Sequence, residues 1–352
     1  MFEETKGALV RTLHIVERYT RTDMVYATQG SFWLIVEKSS ALLFGFLMSV
    51  AFANFMVPEK YGIYKYVLSV VGVVGSFALS GMTTAVNQAV SRGFEGALRA
   101  GFRSSIRWSG GIVVAFLGLA AYYFFHRNAT LGTSFIIAAA LTPLINGTSL
   151  YDNFLAGKQR FEAKALYGAL RNSLPPLALI ATLFFVGKEP LIVVATYFIS
   201  TAAVAWFCYR DVLRRFTPHN QTDDATLAFG KHLSVMNIID TLSGQADRII
   251  TFTLLGGTAL AVYSFVEVIP DQIRGLGSIV GTLALPKMSK TPLAELKQTL
   301  PRKFFILMAL SVASVGVYIA VAPIFFKTFF PVYLSAVPYS QWYSLCILGL
   351  PG

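Results

Sequence analysis

Seven of the charged side chains inside the long apolar stretches of this sequence are candidates for function. They are Lys38, Arg248, Arg274, Asp240, Asp247, Glu267 and Asp271. A charge within hydrocarbon costs about 2.5–3.5 kcal/mol on insertion scales, so such residues usually face a bundle interior or a water-filled path for substrates or ions. The chemistry that these residue types predict is therefore transport through a polar cavity.

Polar residues also recur at helical spacing on four of these stretches. The positions are Glu37, Lys38, Gly45 and Ser49 in 31–57; Ser69, Ser76, Ser80, Thr84 and Asn87 in 62–90; Asn237, Asp240, Thr241, Gly244, Asp247 and Arg248 in 229–256; and Tyr263, Glu267, Asp271 and Arg274 in 258–286. Steps of three, four and seven residues keep side chains on one face of a helix. We expect these four helices to line a central hydrophilic cavity, to which Asn87 and Asn237 contribute amide groups.

Several of these residues also have a simpler structural explanation. Arg248 can form an ion pair with Glu267 or Asp271 across a helix hairpin. Lys38 lies near a helix end, from which a lysine can extend its ammonium group to the lipid head groups. Small residues such as Gly45 commonly serve helix packing. The residues themselves leave these alternatives open.

The elements that position these residues are ten apolar segments. They span 31–57, 62–90, 108–126, 131–156, 164–187, 190–209, 229–256, 258–286, 303–326 and 333–352. About 20 helical residues cross a bilayer core. Hydrophobic residues make up 55% of the chain, charged residues 13%, and the mean hydropathy is +0.60. The sequence predicts an all-α, polytopic membrane protein with about ten helices.

The basic residues separate by side around these segments. Of 29 Lys and Arg residues, 21 fall in the N-terminal arm and even-numbered gaps, 5 fall in the odd-numbered gaps, and 3 lie inside segments. Lys and Arg near helix ends are retained on the cytoplasmic side. We therefore expect a multi-pass protein of the inner (plasma) membrane with a cytoplasmic N-terminus. The net charge of +11 is spread over separate regions, where it meets anionic head groups, so we predict no nucleic-acid partner.

A repeat divides the chain into two lobes. A shift of 199 residues places Tyr263 on Tyr64 at matching short outer junctions, and it also places Gly244 on Gly45. Two six-helix lobes in parallel orientation are a known transporter architecture. The predicted parts are a cytoplasmic amphipathic arm (1–30), an N-lobe with helices 1–6 (31–209), a cytoplasmic linker (210–228), and a C-lobe with helices 7–10 (229–352). We expect this C-lobe to be incomplete by about two helices.

The sequence offers little for catalysis or for a cofactor. Cys208 and Cys346 stand far apart, and the four histidines lack metal-ligand spacing, so no metal site is predicted. No Gly-rich phosphate loop is present, and the odd-numbered gaps are too short for a catalytic outer loop. We expect neither an enzyme nor a cofactor, although a membrane-embedded sugar polymerase or ligase remains an alternative.

Three stretches carry a resemblance to a known family. FWLIVEKSSALLFGFLMSVAFANFMVPEKYGIYKYVLSVVG (32–72), GKQRF (157–161) and GQADRIITFTLLGG (244–257) resemble prokaryotic oligosaccharide flippases of the polysaccharide-transport group. Their superfamily also holds multidrug extruders and lipid II flippases. The family normally has twelve to fourteen helices, and the similarity runs over nearly the whole chain.

The resemblance implies a function and roles for the charged residues. It implies that a polyprenyl-pyrophosphate oligosaccharide is flipped to the outer leaflet by alternating access, for cell-surface polysaccharide synthesis. Lys38 and Arg248, with Arg274 third, become candidate pyrophosphate ligands. The carboxylates Asp240, Asp247, Glu267 and Asp271 become sites for a coupling Na⁺ or H⁺, or they neutralise the arginines. Implied partners are the lipid-linked sugar, membrane lipids and other polysaccharide-assembly proteins. The main alternative is a cation-coupled multidrug extruder.

Overall fold

The computed structural model describes residues 24–78, 80–288 and 293–349, and the regular structure of these residues is helical. The helices are α1 (Met24–Phe55), α2 (Pro58–Ser76), α3 (Met82–Ser91), α4 (Ala97–Phe125), α5 (Ala129–Thr148), α6 (Leu150–Gly157), α7 (Phe161–Phe185), α8 (Pro190–Phe216), α9 (Asp224–Met288), α10 (Leu293–Phe329) and α11 (Val337–Tyr343). The predicted all-α polytopic class is confirmed. Most of the predicted arm, up to residue 23, lies outside the described residues.

Local sequence signals explain where several helices begin and end. Pro58 and Pro190 stand at the starts of α2 and α8, where a missing backbone N–H costs nothing. The Asn128 side chain accepts a hydrogen bond from the Leu131 N–H at 3.1 Å and caps α5. Gly256, at φ 85°, breaks α9 into a first arm (224–255) and a second arm (257–288). A turn at Gly256 therefore separates these two arms.

The predicted apolar segment 333–352 does not form one long helix in the part that the structure describes. The short helix α11 lies between two 3₁₀ helices, Pro331–Ala336 and Ser344–Gly349. A proline stands in the first turn of both α11 and the preceding 3₁₀ helix, and its ring and missing N–H oppose a continuous helix. The Ser340 hydroxyl holds these pieces in place by donating to the Val266 carbonyl of α9 at 2.7 Å.

For description we call α1–α8 the N-lobe and α9–α11 the C-lobe, following the division that the sequence predicts. In the N-lobe (α1–α8), α1 packs on α7, α4 on α5, and α8 on α5 and α7. The C-lobe holds α9, α10 and α11. Between the lobes, α2 runs along α9. Residues 217–223 link the lobes, so the connection is shorter than the predicted linker because α8 extends to residue 216.

The two ends of the bundle differ. We call the end with the turns at 56–57 and 256 the turn end, and the end with the inter-lobe linker the basic end. At the turn end, the Phe46 and Phe329 ring centroids lie 5.3 Å apart, and Asn54 donates to the Phe329 carbonyl at 2.9 Å. A Cβ on Gly62 would lie 1.8 Å from the Gly257 carbonyl oxygen, so the lobes touch backbone to backbone there.

The predicted segment 62–90 is divided into α2 and α3, and α3 contacts the C-lobe near the basic end. The Gly81 N–H donates to the Ser234 hydroxyl of α9 at 2.9 Å, just before α3 begins. Within the described residues, six helical stretches are long and apolar enough to cross a membrane. The chain is thus a multi-pass membrane protein.

Candidate functional site

The hairpin formed by the two arms of α9 brings together most of the predicted charged residues. Arg248 on the first arm donates through Nη2 and Nε to Oε2 of Glu267 on the second arm, at 2.8 and 3.0 Å. Its Nη1 also contacts Gln245 Oε1 at 3.3 Å. Glu267 is only 5% exposed. This ion pair across the hairpin is one of the alternatives that the sequence allowed.

Two further carboxylates flank this ion pair. The Tyr263 hydroxyl donates to the Asp247 carboxylate, which also accepts the Arg248 backbone N–H at 2.8 Å. One turn beyond Glu267, Asp271 Oδ1 accepts from Arg274 Nη1 and from the Tyr343 hydroxyl, each at 3.4 Å. Each charged residue of the polar stripe along the second arm therefore takes part in a polar contact.

The N-lobe contributes a cation to this site that the sequence analysis did not select. The Lys65 ammonium of α2 lies 5.9 Å from the Tyr61 ring centroid, and its charge interacts with those of Arg248, Glu267 and Asp271. The sequence analysis assigned Lys65 to an outer gap. Its four-residue spacing to Ser69 continues the polar stripe of α2 and was the signal that could have identified it.

We call Lys65, Asp247, Arg248, Glu267, Asp271 and Arg274 the C-lobe charge cluster. It holds three formal positive and three formal negative charges, so it is balanced without a ligand. Aromatic residues separate it from the turn end: the Phe265 ring lies 5.2 Å from Tyr61 and 4.0 Å from Tyr333 between centroids. The cluster therefore lies between α2 of one lobe and the hairpin of the other, and a layer of packed aromatic rings stands between it and the turn end.

A second set of charges lies wholly within the N-lobe. Glu37 of α1 accepts from Lys164 of α7 at 2.9 Å and lies 3.6 Å from Arg171. Lys164 also approaches Asp152 of α6 at 3.2 Å. The Asn172 amide donates to the Glu37 carbonyl at 3.2 Å. We call Glu37, Asp152, Lys164 and Arg171 the N-lobe charge cluster.

The remaining predicted residues lie elsewhere. Asn237 and Asp240 are exposed on the first arm of α9, toward the basic end. Asn87 is half-buried on α3. Lys38 is exposed on α1, and among the described residues no hydrogen bond or ion pair reaches it. The structure does not gather these four residues into the C-lobe charge cluster, and the joint phosphate site of Lys38 and Arg248 stays a prediction.

The chemistry available at the C-lobe charge cluster is ionic. Arg248, Lys65 and Arg274 can donate to an anion, and the three carboxylates can hold a proton or a monovalent cation. Within the described part of the chain, no group of three His, Cys, Asp or Glu side chains is arranged to hold a metal ion. The cluster is suited to exchanging internal ion pairs for contacts with a charged ligand.

The fold resembles that of several solved membrane transporters. An outward-facing multidrug resistance MATE family transporter of the MOP superfamily matches with a TM-score of 0.64 and 13% identity, over 93% of this chain and 79% of that one. An inward-facing MATE family transporter of the MOP superfamily gives 0.60 and 15%, over 89% and 82%. A MOP superfamily transporter from Pyrococcus furiosus, described as having a binding pocket of reverse polarity, gives 0.62 and 14%, over 93% and 79%.

The fold is thus that of MOP-superfamily transporters. The chain belongs to the family described as polysaccharide biosynthesis protein, which matches residues 27–291. The resemblance to the polysaccharide-transport group is thereby confirmed. No curated protein matches the chain.

Proposed function

We propose that this protein flips a lipid-linked oligosaccharide, carried on a polyprenyl pyrophosphate, from the cytoplasmic to the outer leaflet by alternating access. The observation that supports this most directly is the C-lobe charge cluster, because it places cations from both lobes at one site between α2 and α9. A pyrophosphate carries several negative charges, and guanidinium and ammonium groups are its natural partners. The protein acts as a carrier rather than as an enzyme.

The ion pairs indicate how the substrate would bind. In the present structure the Glu267 carboxylate forms an ion pair with the guanidinium of Arg248. An entering phosphate would compete for that guanidinium and draw in Lys65, while protonation or Na⁺ binding would neutralise Glu267, Asp247 or Asp271. Asp240 and Asn237 lie along the same arm toward the basic end, and Lys38, Asn87 and Arg274 would contact the sugar or phosphate as it enters.

Alternating access would require two sets of contacts between the lobes to open in turn, those at the turn end and those near the basic end, where the Gly81 N–H donates to Ser234. The lobes are packed together at the turn end through Phe46, Asn54 and the Gly62–Gly257 approach. We propose that the turn end faces outward, that the basic end and the N-terminus are cytoplasmic, and that the membrane is the inner (plasma) membrane. Glycosyltransferases would synthesise the substrate, and polysaccharide-assembly proteins would be the partners.

The test compares two lysines of α2 in vesicles that contain the purified protein and a fluorescent lipid-linked oligosaccharide. Lys65→Gln removes a cation of the cluster and should slow flipping about tenfold, since a hydrogen bond to a charged group is worth roughly 1.5–3 kcal/mol. Lys60→Gln is the matched control, because Lys60 pairs at 2.6 Å with the exposed Glu189, and surface pairs contribute about 0–1 kcal/mol. Equal rates for the two variants would contradict the proposal.

A cation extruder is the second candidate, favoured by the exposed carboxylates of Asp240 and Asp247 on the first arm. The same vesicles can be loaded with a fluorescent organic cation. Export of that cation, together with no flipping of the lipid-linked sugar, would replace the flippase by an extruder.

A further inference from the structure

A basic groove opens on the flank of the molecule, at the basic end and away from the C-lobe charge cluster. Its walls are one stripe of α4 and the start of α9, and its volume is about 380 Å³. The lining residues are Ala100, Arg103, Ser104, Arg107, Trp108 and Lys231. Steps of three and four residues place the α4 members on a single face. The groove is built by both lobes, since α4 belongs to the N-lobe and Lys231 to the C-lobe.

The cations of this groove lack carboxylate partners in the part of the chain that the structure describes. Neighbouring acidic groups pair elsewhere: Glu95 binds Lys158 at 2.7 Å, and Asp223 lies 3.8 Å from Arg92. Lys231 instead lies over the Trp108 ring, with its ammonium 5.5 Å from the centroid. Three exposed positive charges therefore converge on one concave surface, and an anion would relieve their mutual repulsion.

The depth of the groove matches the head-group layer of a bilayer. Trp108 begins the uncharged stretch that continues to Phe125, and it is 51% exposed. Tryptophan prefers the membrane–water interface. At about 1.5 Å per residue along the helix, Arg107 lies beside Trp108 and Arg103 about 7.5 Å beyond it. The head-group region adds roughly 5–7 Å on each side of the hydrocarbon core, which puts Arg107 within this layer and Arg103 at its outer edge.

We propose that this groove binds the phosphate of an anionic membrane lipid, with the acyl chains beside the apolar part of α4 and the indole of Trp108 at the glycerol level. The site is separate from the proposed substrate site, and the inference does not depend on which substrate is transported. Because one wall comes from each lobe, the bound lipid would contact both lobes.

The experiment measures lipid retention by native mass spectrometry of the full chain in detergent, titrated with phosphatidylglycerol. The double variant Arg103→Gln/Arg107→Gln should bind this lipid roughly 25-fold more weakly, because each cation near a membrane surface contributes about a fivefold factor. The matched control is Arg210→Gln/Arg214→Gln, a second exposed arginine pair four residues apart near the basic end, and its affinity should stay unchanged.

Other arms of the experiment separate the possible sources of the anion. Lys231→Gln should weaken binding of phosphatidylglycerol about fivefold. Trp108→Leu should also reduce the retention of this lipid, and phosphatidylcholine should bind poorly to the unchanged protein. Equal losses in the two double variants would overturn the proposal, because that result indicates only nonspecific attraction. Competition by inorganic phosphate at the same concentration as the lipid would also overturn it, since the groove would then be a simple anion site. Unchanged thermal unfolding of each variant confirms that the loss is not a folding defect.

Discussion

The N-lobe and C-lobe charge clusters contain the same chemistry in two different settings. In each, one buried glutamate contacts a basic side chain at 2.8–2.9 Å: Glu37 with Lys164, and Glu267 with Arg248. The N-lobe cluster joins α1, α6 and α7 inside one lobe. The C-lobe cluster lies on a hairpin and faces α2 of the opposite lobe. Only the second cluster is placed where movement between the lobes would change its contacts.

The clusters also differ in the exposure of their outer members. The Lys164, Asp152 and Arg171 side chains are 15%, 16% and 34% exposed, whereas those of Arg274 and Asp271 are 48% and 40% exposed. Removing one partner of a buried ion pair leaves an uncompensated charge and destabilises the protein, so the intact N-lobe contacts stabilise the fold against such a loss. Exposed partners can exchange with a ligand. We therefore expect the position of an ion pair relative to the lobe interface, more than its composition, to decide whether the pair stabilises the fold or binds a ligand.

The largest effect is expected for the N-lobe cluster. Glu37→Gln leaves Arg171 without its carboxylate and Lys164 with Asp152 alone, and it should lower the free energy of unfolding by about 3 kcal/mol. The measurement is SDS-induced unfolding in mixed micelles. Glu162→Gln, an exposed position in the first turn of α7, is the control and should change little. Per folded molecule, the Glu37→Gln variant should still flip substrate; a stable but inactive variant would break the comparison, because Glu37 would then act in transport.

A smaller effect on stability is expected where the lobes touch. Gly62→Val places a side chain against the Gly257 carbonyl and should cost about 2 kcal/mol, within the usual range for overpacking. It should also slow flipping, because pushing α2 from α9 separates Lys65 from Arg248. Gly45→Val makes the same change in α1, where no atom lies within 4 Å of the added Cβ, and should be tolerated. A Gly62→Val variant that flips at the normal rate would show that the spacing of the lobes at the turn end does not set the cluster geometry.

The sequence could predict the features that depend on short spacing. Helical periodicity within one hairpin predicts the polar stripes of α9 and allows the ion pair between Arg248 and Glu267. The short glycine junction in the middle of this hairpin predicts the turn at Gly256. The short pieces after residue 330 differ from the predicted helix because two prolines outweigh the apolar composition there.

Features that depend on packing between distant segments were not predictable in this way. Glu37 and Lys164 are 127 residues apart, and no local pattern pairs them. Lys65 was counted with the residues of an odd-numbered gap, although it stands inside the predicted segment 62–90 and one more turn of the α2 stripe would have included it. Lys38 shows the converse: its sequence position suggests a cavity, but its neighbour Glu37 forms the contacts.

The most direct test of the account compares the binding of polyprenyl pyrophosphate to two arginine variants of the full chain. Arg248→Gln removes a cation from the C-lobe cluster, and Arg171→Gln removes one from the N-lobe cluster. If the C-lobe charge cluster holds the phosphate, Arg248→Gln should weaken binding about tenfold. Arg171→Gln should leave the affinity within about twofold, although it lowers stability. Equal affinities for the two variants, with both proteins folded, would contradict the assignment of the substrate site to the C-lobe charge cluster.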